Sequence, residues 1–208
     1  MDKVIIIDNS PASRRGLGVN LESLSPKLLI LEQDKNIYVN KAWNLGVSHC
    51  SSSLIAILND DIFVRPIVFE FLSLIDWNNI DLVGLGASIY SSALTLEHFS
   101  YVPNVHLGRQ APGFGQAMFM RRLSYAEIPD YFDVWFGDDV QAYSAQHIYT
   151  LSLNAVFLYG RSSTISSLRQ GKNSNIAEVI RKDINAAIEH APRLCKELAD
   201  WLLFSNPV

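Results

Sequence analysis

Two pairs of adjacent carboxylates, Asp60-Asp61 and Asp138-Asp139, are the residues of this 208-residue chain best suited to chemistry. The first pair follows the apolar run Leu54-Ile55-Ala56-Ile57-Leu58 and stands directly behind Asn59. Carboxylate oxygens at a strand end suit a hard divalent cation such as Mn²⁺ or Mg²⁺, which takes oxygen ligands from protein and phosphate together. Asn and Asp also favour turns and helix caps, so a plain turn explains the same residues. The second pair follows Phe132-Asp133-Val134-Trp135-Phe136-Gly137. A carboxylate behind an aromatic run is partly desolvated, which raises its pKa and fits it to act as a general base. Asp138 is equally suited to cap the next helix, and one Asp can cap while the other faces a cleft.

Two further segments carry polar or small residues at strand boundaries. Asp8-Asn9-Ser10 closes the run Val4-Ile5-Ile6-Ile7, and Gly113-Phe114-Gly115-Gln116-Ala117 leads into another apolar stretch. Glycines there let a ligand approach the backbone, although glycine is also the default loop residue. Other chemistries lack their signatures. No Gly-Lys-Ser/Thr follows a glycine loop, which excludes a P-loop. His49, His98, His106, His147 and His190 show no zinc spacing, and no G-x-S-x-G supports a serine hydrolase. Arg14-Arg15 and Arg121-Arg122 suit either a phosphate or a solvated surface.

The elements that position these residues alternate along the chain. Val4–Ile7, Leu28–Leu31, Leu54–Leu58 and Leu82–Leu85 are apolar runs bounded by turn residues and read as buried strands. Trp43, Val47 and Cys50 lie at helical spacing, and Pro66 opens a second helix with Ile67, Phe71 and Leu74 on one face. Residues 91–112 read as loops and short strands, 116–120 as a short strand, 138–149 as a helix and 154–159 as a late strand. From Asn175 the pattern is helical, with Ile176, Val179, Ile180, Ile184 and Ile188 repeating, until Pro192 kinks or splits the tail. So apolar a helix must pack on the sheet or on a second subunit. Continuous apolar strands separated by helices imply an α/β fold with a central, mostly parallel sheet flanked by helices. Ligands then bind beyond the strand carboxyl ends, where Asp8-Asn9-Ser10 and Asn59-Asp60-Asp61 fall. We expect residues 1–172 to form this domain and 173–208 a C-terminal helical extension.

Composition sets the class. Hydrophobic residues are 49% and charged residues 18%, the balance of a globular domain. A net charge of −4 gives no global pull toward nucleic acid or anionic lipid. Mean hydropathy is +0.12, and no apolar run reaches the length of a membrane span. Cys50 and Cys195 form no CxxC or metal spacing, and the first residues show no basic-then-apolar leader. A reducing, cytoplasmic home is the expectation.

The order of these pieces resembles the inverting GT-A glycosyltransferases, the family-2-like nucleotide-sugar enzymes. Residues 36–47, Asn-Ile-Tyr-Val-Asn-Lys-Ala-Trp-Asn-Leu-Gly-Val, look like the family's N-x-G-x-x-x-A-x-N-x-G helix, and Leu54–Ile62 looks like its strand and DxD-type motif. Val4–Ser10 is similar to the strand end that meets the nucleotide base, Gly113–Arg122 to the acceptor-side stretch, and Phe132–Val140 to the segment bearing the catalytic base. The matched pieces keep the family's order over residues 4–140. The family places one more strand ahead of the first one here, so either the unit is trimmed or the match is shifted by one strand. Tyr38 stands at a family glycine, Asn59 at the first acidic metal position and Gln141 at a later acidic position, while Tyr159 falls near the place of a late metal-binding His.

The resemblance implies a sugar donor with a nucleoside diphosphate leaving group, held by Mn²⁺ or Mg²⁺ on Asp61 and Asp60. Asp139, with Asp138 beside it, would be the catalytic base. Asp8, Asn9, Asn44 and Asp60 are grouped on the nucleotide side, Asn44 lying on the helix behind the site and fixing the loop rather than touching the ligand. Gly113, Gly115 and Trp135 would line the acceptor side. The acceptor is open among a glycan, a protein, a lipid-linked sugar and a modified DNA base. Three other readings compete: a nucleotide-sugar-binding domain without turnover, a nucleotidyltransferase, and a structural α/β domain that forms homo-oligomers through its C-terminal helices. For the four tryptophans, a core role competes with sugar stacking.

Overall fold

A computed structural model describes residues 3–9, 25–60, 62–64, 66–85, 96–101, 114–153, 156–158 and 174–191. The first two apolar runs form β1 (Val4–Asp8) and β2 (Leu28–Glu32), which pair in parallel with Val4 opposite Leu28 and Asp8 opposite Glu32. Helix α1 (Tyr38–Ser48) follows, then β3 (Leu54–Leu58), β4 (Ile62–Val64) and α2 (Pro66–Leu74). Beyond a single 3₁₀ turn come β5 (Leu82–Leu85), β6 (Leu96–Tyr101) and β7 (Ala117–Arg121). Helix α3 (Gly137–Ser144), β8 (Ile148–Leu153), β9 (Val156–Leu158) and α4 (Ser174–His190) complete the described chain.

Strands β3, β7, β5, β8 and β6 make one sheet in that order, while β4 and β9 pair separately. The α/β class with a central, helix-flanked sheet holds, but the expected strand directions do not. Only β5–β8 is parallel in the five-stranded sheet, and its other described pairings are antiparallel. Apolar runs report burial, and burial is equally compatible with either direction.

Side-chain alternation explains how the layers assemble. In β3, Ile55 and Ile57 face inward and Leu54, Ala56 and Leu58 outward, as a period of two requires. Strand β7 lies between β3 and β5, and both its faces are buried. Ala117 and Phe119 join Val83 and Leu151 on one face, covered by Val68 and Leu72 of α2. Met118 and Met120 join Ile55, Ile57 and Leu82 on the other, with Ala142 of α3 and Trp43 and Val47 of α1. Gly84 is obligatory here, because the Phe114 ring lies 2.1 Å from where its Cβ would stand.

Several expected boundaries shift. The buried stripe of α2 runs through Val68 and Leu72, with Phe71 partly buried, whereas Leu74 is 84% exposed; the Ile67 side chain lies outside the described ones. The helix expected over 138–149 ends at Ser144, since Ile148–Leu153 forms β8 between β5 and β6. The late strand is confined to Val156–Leu158, with Asn154 and Tyr159 outside the described residues. Strand β6 falls inside the segment read as loops and short strands. The expected kink at Pro192, along with Arg14-Arg15, Cys195 and Trp201, also lies outside the described residues. Helix α4 packs within the chain: Ile180 and Ala187 are buried, and Ala187 clusters with Ile128, Phe132 and Phe136. That packing covers part of the apolar stripe and leaves Ile188 60% exposed.

Candidate functional site

Antiparallel pairing of β3 with β7 brings the end of one to the start of the other, with Leu58 opposite Ala117. One step further, the Asn59 amide N–H donates to the Gln116 carbonyl at 3.0 Å. Next along, the Gly115 N–H donates to Asp138 Oδ2 at 3.0 Å. A continuous path of bonds therefore joins the Asn59-Asp60 strand end to the first turn of α3, which carries Asp138 and Asp139. Asp60 is exposed at that strand end. Asp61 and Gly113 lie outside the described residues.

Burial pushes the Asp138 carboxyl above the ordinary carboxylate value, against the opposing pull of the Asp138, Gly115, Asp139 and Phe114 N–H groups. Asp138 thus ties the strand entry at 114–115 to the helix start. The backbone just before it is unusual: Phe136 has φ 66°, a left-handed conformation costly for a side-chain-bearing residue. Gly137 then passes so close to α1 that a Cβ would stand 2.2 Å from Asn40 Oδ1 and 2.8 Å from the Trp43 ring.

Helix α1 holds this segment through three side chains on neighbouring turns. Asn40, 1% exposed, donates from Nδ2 to the Trp135 carbonyl at 2.8 Å, and its own N–H reaches the Asp133 carbonyl at 3.1 Å. Lys41 donates to Asp133 Oδ1 at 2.5 Å. Asn44 donates to the Ile128 carbonyl at 2.8 Å and accepts from the Ile128 N–H at 3.0 Å and the Tyr125 hydroxyl at 2.7 Å. The Asn44 amide, grouped by the resemblance with the nucleotide contacts, is engaged on the 125–128 segment instead. That matches its other expected part, fixing the loop.

Gln141, at a family acidic position, also has a clear local reason. Its Oε1 accepts from the Ala126 N–H at 3.0 Å and its Nε2 donates to the Ala126 carbonyl at 2.6 Å. An ionised carboxylate there could accept from the Ala126 N–H but could not donate to its carbonyl. Tyr38 at the family glycine keeps the conformation glycine favours, with φ 65°.

Sequence reasoning overlooked the contribution of α4. Asp183, fully buried, accepts from the Asp133 N–H at 2.9 Å and from the Val134 and Trp135 N–H groups at 2.7 Å each. Its neighbour Lys182 donates to Asp133 Oδ2 at 2.5 Å. Burial pushes the Asp133 carboxyl up, but the bonds from Lys182 and Lys41 outweigh it and hold the group below its ordinary value. The Asp133 bond in turn raises Lys182. A signal for Asp183 was present: positions 176, 180, 183 and 187 follow helical spacing, so Asp183 sits on the apolar stripe. A lone Asp there must have buried donors to meet.

At the end of β1, Asn9 Oδ1 accepts from the Ile37 N–H at 3.2 Å, fixing the approach to α1. The Asp8 carbonyl accepts from the Gln33 N–H at 3.0 Å. Trp135 is half-buried, and its ring packs against the cluster of Ile128, Phe132, Phe136 and Ala187. Among the described residues, no group of three or more His, Cys, Asp or Glu side chains is placed to hold a metal, and no helix is long and apolar enough to cross a membrane.

No known protein-family profile matches this sequence, and no curated protein does. Solved structures do. The chain superposes on S. aureus TarS residues 1–349 with a TM-score of 0.56 at 11% identity, covering 91% of this chain and 63% of that one. TarS 1–349 in complex with UDP gives 0.56 at 13% identity over 88% and 56%, and its complex with UDP-GlcNAc gives 0.53 at 12% over 77% and 50%. The chain thus spans less than two thirds of the TarS chains it matches. The likeness is one of fold, and it agrees with the GT-A-like architecture that the motif order implies.

Proposed function

We propose that this site transfers a sugar from a nucleoside diphosphate donor to an acceptor hydroxyl, with inversion at the anomeric carbon. The observation that carries the reading is the path of bonds from Asn59 through Gln116 and Gly115 to Asp138. It links the Asn59-Asp60 strand end to the start of α3, which carries Asp138 and Asp139, although the two are far apart in sequence. The shared fold with TarS, whose solved complexes hold UDP and UDP-GlcNAc, favours a uridine diphosphate sugar as the first donor to test.

In this reading Asp139 accepts the proton of the acceptor hydroxyl as its oxygen attacks the anomeric carbon. The nucleoside diphosphate departs from the opposite face, and a single displacement inverts the centre. Asp138 holds the helix start that aims Asp139. Asp8 and Asn9 at the β1 end face the nucleotide base, and Gly115 and Trp135 flank the acceptor. Asp60 and Asp61 offer oxygen donors only, a set that fits Mn²⁺ or Mg²⁺; such an ion stabilises charge on a departing diphosphate. A thermal-shift panel of nucleotide sugars with and without Mn²⁺ tests the reading, because a ligand that binds only the folded state raises its apparent stability. A selective, Mn²⁺-dependent shift supports it, and no shift with any nucleotide sugar refutes it.

Asn59 at the first acidic metal position favours a second reading, nucleotide-sugar binding without turnover. A shift without release of nucleoside diphosphate would select it.

A further inference from the structure

We infer that α4 completes the catalytic site: Asp183, backed by Lys182, is a positioning residue that sets the direction of the turn bearing Asp138 and Asp139. The inference rests on the glycosyl-transfer reading for its consequence and on geometry for its substance. Asp183 is fully buried and accepts three consecutive backbone N–H groups, those of residues 133–135, one on Oδ1 and two on Oδ2. Lys182 grips the Asp133 carboxylate from the same helix turn, opposite Lys41 of α1. The next residue in the chain, Phe136, is held left-handed, and α3 starts immediately after it. A strained residue persists only where its surroundings over-determine it. Here the surroundings are α4 on the 133–135 amides and Asn40 on the Trp135 carbonyl. Releasing those amides lets Phe136 relax, and any rotation there re-aims the first turn of α3 together with Asp139. Nothing about Asp183 requires contact with donor or acceptor, so its loss should leave donor binding intact.

The test uses the full chain and two variants. Asp183→Asn keeps the shape but presents one acceptor oxygen where three donors converge, and its amide hydrogens oppose the remaining N–H groups. Lys182→Met removes the grip on Asp133 from a half-exposed position and keeps the fold should the first variant fail to fold. Amide hydrogen exchange reads the latch without reference to activity. Residues 133–139 should exchange about tenfold faster or more in either variant while β5 and β7 keep their protection. Turnover reads the consequence: kcat should fall about tenfold or more with donor KM within about twofold. Unchanged exchange at 133–139 overturns the inference. So does a loss of turnover that merely follows the folded fraction with kcat per folded molecule unaltered. A wild-type protein that neither binds nor cleaves any nucleotide sugar refutes the glycosyl-transfer reading instead, and the exchange result still judges the latch.

Discussion

The Asn59 N–H donates to the Gln116 carbonyl at 3.0 Å, and that bond fastens the exposed end of β3 to the entry of β7. Gly115, the next residue back, is held by Asp138. The Asn59-Asp60 end of β3 and Asp138 at the start of α3 are linked in this way, with backbone amides as the connecting pieces.

Asp139 carries the sharpest expectation. Asp139→Asn keeps the shape of the side chain and removes its capacity to take a proton. Transfer should fall by about 10²–10⁴-fold, the usual contribution of a general base, with donor binding retained. Single-turnover assays beside donor titrations of the folded variant check this. Normal turnover would remove Asp139 from the role.

Close packing of α1 on the α3 start gives a prediction about stability. Gly137→Ala forces a methyl to within 2.2 Å of Asn40 Oδ1 and 2.8 Å of the Trp43 ring. Both partners are held by the surrounding core, so relief must come from backbone movement. Overpacking of this kind costs about 1–3 kcal/mol. Urea unfolding should show a lower midpoint with an unaltered slope.

Charge burial at the site predicts opposing pH dependences. Against the upward push of burial, the bonds from Lys182 and Lys41 hold Asp133 below the ordinary value of 3.8, so the stability it contributes is present above that value and is lost as pH falls through its lowered one. Asp138 is raised above 3.8: the folded state keeps a proton that the unfolded chain has released. Stability therefore declines as pH rises from 3.8 toward its raised value and levels off beyond it. Asp138→Asn abolishes that decline. Chemical denaturation across the acid range should show the variant gaining on the wild type with rising pH and then running parallel to it.

For the cation, Asp60→Ala and Asp61→Ala should each weaken the Mn²⁺ dependence of donor binding by about tenfold or more, since even outer partners of a metal site are worth about 10–100-fold. Donor titrations over a range of Mn²⁺ concentrations decide it, and an unchanged metal response in both variants would remove the metal assignment.

What the sequence made legible follows from which physical signals are local. The apolar runs at 4–7, 28–31, 54–58 and 82–85 became strands because apolar and β-branched character is written in consecutive residues, although the burial expected of the first run fails: Val4 and Ile6 stay exposed. The acidic pairs were visible for the same reason: their neighbours are adjacent in the chain. Strand direction was not, since it depends on which distant segment lies alongside. The short α3 was over-extended, because Ile148 and Tyr149 continue an apolar spacing and only their pairing with Leu82 and Val83 makes them a strand. Asp133 and Asp183 drew no reading from the sequence, because both are buried against partners supplied by other elements. Asn44 was legible as a residue that fixes a loop, but which loop was not, since its partners Tyr125 and Ile128 are more than eighty residues away.

The most direct test measures nucleoside diphosphate released from uridine diphosphate sugars, in Mn²⁺, by the wild-type chain and by Asp139→Asn side by side. The account predicts release from one donor by the wild type and its collapse in the variant, while both bind that donor equally. Release by neither protein from any donor, or equal release by both, would contradict it.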